Sequence, residues 1–178
     1  MSCANLNKSS QVIALVDCNN FYASCERVFN PAWQHLPIAV LSNNDGCIIA
    51  RSNEVKEAGI PMGAPYFQWK QQLRQIHAMV VSSNYTLYGD MSARVMNTLE
   101  KFTPDIEIYS IDEAWLNLDH IPPLDIDNYS KYVVAHTKQS TGIPVSMGIS
   151  CTKTLAKLAN RLCKKLKCKE GVYHLDPN

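Results

Sequence analysis

Asp112 and Glu113 are adjacent carboxylates in Tyr109-Ser110-Ile111-Asp112-Glu113-Ala114, where one apolar, β-rich run gives way to another. Far upstream, Asp17 closes a second β-rich run, Val12-Ile13-Ala14-Leu15-Val16, and Asn19, Asn20, Phe21 and Tyr22 follow it. If the two strand ends meet, three carboxylates converge on one point. Such a cluster repels itself and requires divalent cations to neutralise it. Oxygen-only donors suit Mg²⁺ and the phosphates it carries, so phosphoryl or nucleotidyl transfer is the chemistry these residues support. The competing possibility is an Asp-Glu pair that is merely solvated in a hairpin turn.

The elements that must position these groups are readable in outline. Val12 to Val16 is a continuous aliphatic run, as in a strand buried on both faces. Asn19 or Asn20 can cap a helix running to about Phe29, ended by Asn30-Pro31. Strands are expected at 38–41 and 47–50 around an Asp45-Gly46 hairpin, with short helices at 53–59 and 66–74 and a strand at 78–82. Leu87, Met91, Val95, Met96 and Leu99 form the apolar stripe of a helix over 87–101. Strands near 106–111 and 114–118 flank the carboxylate pair. A helix at 126–139, a strand at 144–149, a helix at 153–167 and a short strand at 172–175 complete the chain. With residues 22–84 set aside, the order matches an α+β, ferredoxin-like split βαβ layer, with helices on one face of an antiparallel sheet. The 22–84 segment is then an insertion with a small sheet of its own.

Composition narrows the class. Of 178 residues, 46% are apolar and 19% charged, values of an ordinary globular domain rather than a disordered one. A net charge of +1 hides local clustering. The seven cysteines form no CxxC pair, so the pattern points to a reduced, cytoplasmic protein and not to a zinc site. No apolar run is long enough to span a membrane, and residues 1–11 look like a polar tail.

The 153–169 segment concentrates charge of one sign. Lys153, Lys157, Arg161, Lys164, Lys165, Lys167 and Lys169 occur there without a single acid. At about 100° per residue, Lys153, Lys157, Arg161 and Lys164 share one helix face, while Leu155, Leu158, Ala159, Leu162 and Leu166 share the other. The expected helix packs through its leucines and presents a positive stripe to a polyphosphate or nucleic-acid backbone. A solvated lysine face is the alternative.

Three segments in this order resemble the Y-family translesion DNA polymerases: Asp17-Cys18-Asn19-Asn20-Phe21-Tyr22-Ala23-Ser24-Cys25-Glu26, Ser110-Ile111-Asp112-Glu113-Ala114, and Gly148-Ile149-Ser150-Cys151-Thr152-Lys153-Thr154-Leu155-Ala156-Lys157. Within that family, Leu41-Ser42-Asn43-Asn44-Asp45-Gly46-Cys47-Ile48-Ile49-Ala50-Arg51, Ser83-Asn84-Tyr85 and Tyr88-Gly89-Asp90-Met91-Ser92 are similar to the UmuC-like branch. The resemblance covers about residues 12–176. It implies a palm at 12–21 and 85–176 and fingers at 22–84.

It further implies that Asp17, Asp112, Glu113 and the Cys18 carbonyl hold two Mg²⁺ ions for nucleotidyl transfer from a dNTP to a primer 3′-hydroxyl. Phe21 and Tyr22 would contact the nucleotide, Tyr22 as a steric gate against ribose. Lys164 would contact the triphosphate, and so would Lys56, where Asn53-x-x-Lys56 stands in place of the Tyr-x-x-Arg of many relatives. Arg51, Lys153, Lys157 and Arg161 would contact DNA. The implied setting is SOS-type damage tolerance, with a UmuD-like processed dimer and RecA as partners.

The family continues into a thumb and a little finger that carries the sliding-clamp motif. This chain reaches Asn178 where the palm ends, so those parts are expected to be absent and the grip on primer–template DNA weak. The alternatives are a non-catalytic module that binds DNA or polymerase partners, and a nucleotide cyclase built on a palm-like layer.

Overall fold

The computed structural model describes residues 11–176, so the expected tail at 1–11 falls, apart from Gln11, outside the described residues. A strand that is apolar on both faces must be covered on both. β1 (Ile13–Cys18) sends Ala14, Val16 and Cys18 into the main core, and Ile13 and Leu15 into a smaller one with Trp115 and Ala156. It lies between β6 (Glu113–Asn117) and β7 (Val145–Ser150) and is antiparallel to both. β5 (Ile106–Ile108) extends the sheet beyond β6, and β8 (Val172–His174) extends it beyond β7. Because β8 joins in parallel, the sheet is mixed rather than purely antiparallel as expected.

The spatial order β5-β6-β1-β7 is that of the split βαβ layer read from the sequence. Its two crossover helices are α4 (Tyr85–Leu99) and α5 (Ile126–Thr141). α4 inserts Tyr88, Met91, Val95, Met96 and Leu99 into the main core beside Ile126, Val133 and Val134 of α5. The Asn84 side chain caps α4 by accepting from the Leu87 N–H at 3.1 Å.

The last helix, α6 (Lys153–Lys165), corrects two expectations. It covers the opposite face of the sheet, above β1 and β7, so the helices are not all on one side. Its contact residues are Ala156, Ala159, Asn160 and Cys163, whereas Leu158 and Leu166 are exposed. The reason is Gly148 on β7: a Cβ there would stand 2.1 Å from the Asn160 nitrogen and 2.4 Å from the Ala156 carbonyl oxygen. The helix backbone therefore lies directly on the sheet, and only small side chains fit at the contact. Asn160 completes the seam by donating to the Ser146 carbonyl at 2.9 Å and the Leu15 carbonyl at 3.2 Å.

The inserted segment builds a second sheet, with β2 (Ile38–Leu41) between β3 (Ile48–Arg51), antiparallel, and β4 (Met79–Ser82), parallel. Alternation again splits the central strand. Ile38 and Val40 join the main core, while Ala39 and Leu41 join a separate cluster with Val55, Ile60 and Leu73. That cluster lies under α2 (Asn53–Glu57) and α3 (Tyr66–Gln75). The first helix, α1 (Phe21–Phe29), bridges the layers through Phe21, Ala23 and Cys25. No described helix is long and apolar enough to cross a membrane.

Candidate active site

The β1–β6 register places Asp17 directly opposite Glu113. Like charges so paired are destabilising unless something compensates them. Here α6 supplies the compensation: Lys164 Nζ bonds Asp17 Oδ1, and Lys157 Nζ bonds Glu113 Oε2 at 3.2 Å. Asp112 sits just before β6, and its carbonyl accepts from the Cys18 N–H at 2.8 Å, which joins the two carboxylate segments. Its side chain accepts from Ser110 Oγ at 2.8 Å. The hairpin expected to hold both acids is tighter than the sequence suggested. Tyr109 and Ser110 turn back to the Glu113 carbonyl, so β5 ends at Ile108 and Glu113 already belongs to a strand.

Electrostatics follow from this placement. Burial raises the Asp17 carboxyl above its ordinary range, Lys164 pulls it down, and the charges of Asp112 and Glu113 push it up again. Among the described residues no three acidic, His or Cys side chains close into a ready ligand group. The donor set nonetheless fits a hard dication. It consists of three carboxylates in mutual electrostatic range, two of them held by lysine ammonium groups, and it contains no soft ligand.

The basic face of α6 is exposed, and three of its four cations are also paired to acids of the sheet. Lys153 bonds Glu107 at 2.6 Å and lies over the Trp115 ring at 5.7 Å; Lys157 also lies over Tyr109 at 4.7 Å. Arg161 is exposed and makes no ion pair among the described residues. Lys153, Lys157, Arg161 and Trp115, with Asp17, Glu113 and Lys164, line a cavity of about 570 Å³.

Tyr22 is held as a slab. Its ring stacks on Tyr88 (4.3 Å, 14° between planes) and meets Tyr85 edge-on at 5.9 Å. Tyr88 is fully buried, and its hydroxyl donates to Glu26 Oε1 at 2.7 Å. Tyr88→Phe leaves that acceptor without its partner and should cost about 1–3 kcal/mol, readable as a lower urea midpoint at unchanged slope. Phe21, beside Tyr22, is buried in the core at 4% exposure. Arg51 is half-buried, with Nη1 donating to the Ile60 carbonyl at 2.5 Å and burial lowering its pKa. It straps β3 to the Ile60 turn.

Lys56 reaches the site from the insertion. Burial lowers its pKa, and the nearby charges of Arg51 and Lys164 lower it further. Together Lys56 and Lys164 line one cleft of about 1190 Å³ bounded by α1 and α2 on one side and by α5 and the end of α6 on the other. Asn20 takes the N-cap position of α1, yet its side chain makes no cap bond there. Sequence reasoning missed its actual partners, and it missed the Tyr85–Tyr88 support of Tyr22. The i, i+3 spacing of those two tyrosines was the available signal.

Solved structures share this fold. DinB from Sulfolobus solfataricus superposes with a TM-score of 0.80 at 25% identity, covering 93% of this chain and 48% of that one. An insertion ternary complex of Dbh DNA polymerase gives 0.82 at 25% identity, covering 93% and 49%. The architecture is therefore that of Y-family polymerases. The chain belongs to the impB/mucB/samB family, whose model matches residues 16–161. The UmuC protein of Salmonella typhimurium is 50% identical over 155 residues, 86% of this chain and 37% of that protein. MucB of Escherichia coli is 40% identical over 166 residues, 93% of this chain and 40% of the relative. The chain thus spans about two fifths of the length of these relatives. The Y-family resemblance of the three motifs is borne out, and so is the UmuC-like likeness of the segments at 41–51, 83–85 and 88–92.

Proposed function

We propose that this chain supplies the palm (12–21 and 85–176) and fingers (22–84) of an error-prone translesion DNA polymerase that transfers a nucleotidyl group from a dNTP to a primer 3′-hydroxyl. The observation that carries this is the cross-strand Asp17–Glu113 pair, joined to Asp112 through Cys18 and faced by the lysines of α6. Asp17, Asp112, Glu113 and the Cys18 carbonyl would hold two Mg²⁺ ions, which would lower the pKa of the primer hydroxyl and neutralise the leaving pyrophosphate.

The chain's own residues do the rest. Lys164 and Lys56 face one cleft from opposite lobes, and both bind the incoming triphosphate as point charges. Lys164 is freed for that task when the charge on Asp17 is neutralised in another way. The Tyr22 ring, immobilised by Tyr88, sits where the nucleotide sugar enters and excludes a 2′-oxygen by contact. Lys153, Lys157 and Arg161 offer cations to the primer–template backbone. The UmuC likeness supports a role in SOS-type damage tolerance in the cytoplasm, with a UmuD-like processed dimer and RecA as partners.

Primer extension with Mg²⁺ and dNTPs tests the proposal: faint, distributive incorporation that vanishes in Asp112→Ala is expected, and incorporation that survives Asp112→Ala would remove it. The gate has its own test. Tyr22→Ala is expected to raise ribonucleotide incorporation relative to deoxyribonucleotide by about 10-fold to 100-fold. An unchanged ratio would deny Tyr22 that role.

A further inference from the structure

Asn20 links β1 to α1 in the left-handed region (φ 49°, ψ 46°), where Asn is one of the few non-glycine residues found routinely. Its amide nitrogen donates to Asn53 Oδ1 at 2.9 Å, and its amide oxygen accepts from Lys56 Nζ at 2.5 Å. Asn53 and Lys56 lie three residues apart, on one face of α2. A single amide therefore grips both from the end of the central strand. Lys167 Nζ adds a second tie to the same helix through Glu57 Oε1 at 3.3 Å.

We infer that Asn20 and Asn53 are positioning residues that hold the Lys56 ammonium over the cleft, facing Lys164, in the place where the polyphosphate of an incoming nucleotide binds. The inference rests on the proposed nucleotidyl-transfer function. A lysine has a flexible stem and no fork to orient it, so its charge must be placed by a partner. Asn20 does this with a neutral oxygen, which satisfies the ammonium without cancelling its charge. An acid in the same place would form an ion pair and repel phosphate. Burial together with Arg51 and Lys164 works against the charged form of Lys56, and the charge of Asp17 opposes that loss.

Asn20→Gly is the informative variant, because glycine keeps the left-handed backbone and removes only the amide. With dTTP and Mg²⁺ as the probe in calorimetric titration, Asn20→Gly and Asn53→Ala should each weaken binding about threefold to tenfold. In primer extension the same loss should appear in KM, with kcat kept. In a Lys56→Met background, Asn20→Gly should add nothing further. Unchanged dTTP affinity, or a full additional loss on top of Lys56→Met, would show that Asn20 does not act through Lys56. A ligand-free readout separates the two layers. Asn20→Gly should shift the side-chain amide resonances of Asn53 and the ε-methylene resonance of Lys56 in the free protein. Shifts there without any dTTP binding by the unmodified protein would overturn the nucleotide assignment and leave the amide grip standing. No shift would overturn the grip itself.

Discussion

Asp112→Asn is expected to lower single-turnover nucleotide incorporation by about 10³-fold or more, equivalent to about 4 kcal/mol of transition-state stabilisation. The variant isolates charge from shape. An Asn side chain still offers an oxygen to Ser110 Oγ, which bonds Asp112 at 2.8 Å, and the backbone bond from the Cys18 N–H does not involve the side chain at all. What disappears is one of the three negative charges that, in the proposed function, would neutralise cations near a reacting phosphate. The fold should be indifferent. Removing a carboxylate whose charge raises the Asp17 pKa relieves repulsion, so thermal stability should stay within about 0.5 kcal/mol of the parent or rise slightly. Retention of a tenth of the activity at equal stability would remove Asp112 from the catalytic set.

Gly148→Ala should damage the fold more than any other single-methyl change. The new Cβ would meet the Asn160 nitrogen at 2.1 Å, the Ala156 carbonyl oxygen at 2.4 Å and the Asn160 Cα at 2.6 Å, all of them helix backbone that cannot rotate away. Either α6 lifts off β7 or the sheet distorts, at a cost of about 3 kcal/mol or more. Lifting α6 also carries Lys157 and Lys164 away from Glu113 and Asp17, leaving a directly opposed acid pair uncompensated. Gly89→Ala provides the control of opposite sign. Gly89 lies inside α4 with nothing within 4 Å of a new Cβ, so alanine there should stabilise by about 0.5–1 kcal/mol. Urea unfolding of the pair reads both, and a Gly148→Ala protein as stable as its parent would contradict the close seam.

How much of this was legible in the chain depends on the range of the physics involved. The aliphatic run before Asp17, the apolar stripe of α4 and the Asp45-Gly46 hairpin are local patterns, so their elements could be placed within a few residues. The side of the sheet on which α6 lies was not legible. Its leucines suggested an apolar contact face, but the contact uses Ala156, Ala159 and Asn160 because Gly148, on a different element, has no side chain to hold the helix off. The basic stripe was visible in composition, while its ion pairs were not, since the acids it meets lie 44 and 147 residues away from Lys157 and Lys164.

The same division runs through the site. The residue types Asp17, Asp112, Glu113, Tyr22 and Lys164 are properties of the chain; they suggest the proposed chemistry, and the motifs around them carry the family resemblance. The tertiary structure alone decided that Asp17 faces Glu113, that Tyr88 props Tyr22, and that Asn20 turns its amide to Asn53 and Lys56 instead of capping its own helix. Strand register, ring stacking and a left-handed backbone arise from groups far apart in sequence, and they take shape only when the two sheets close on their shared core.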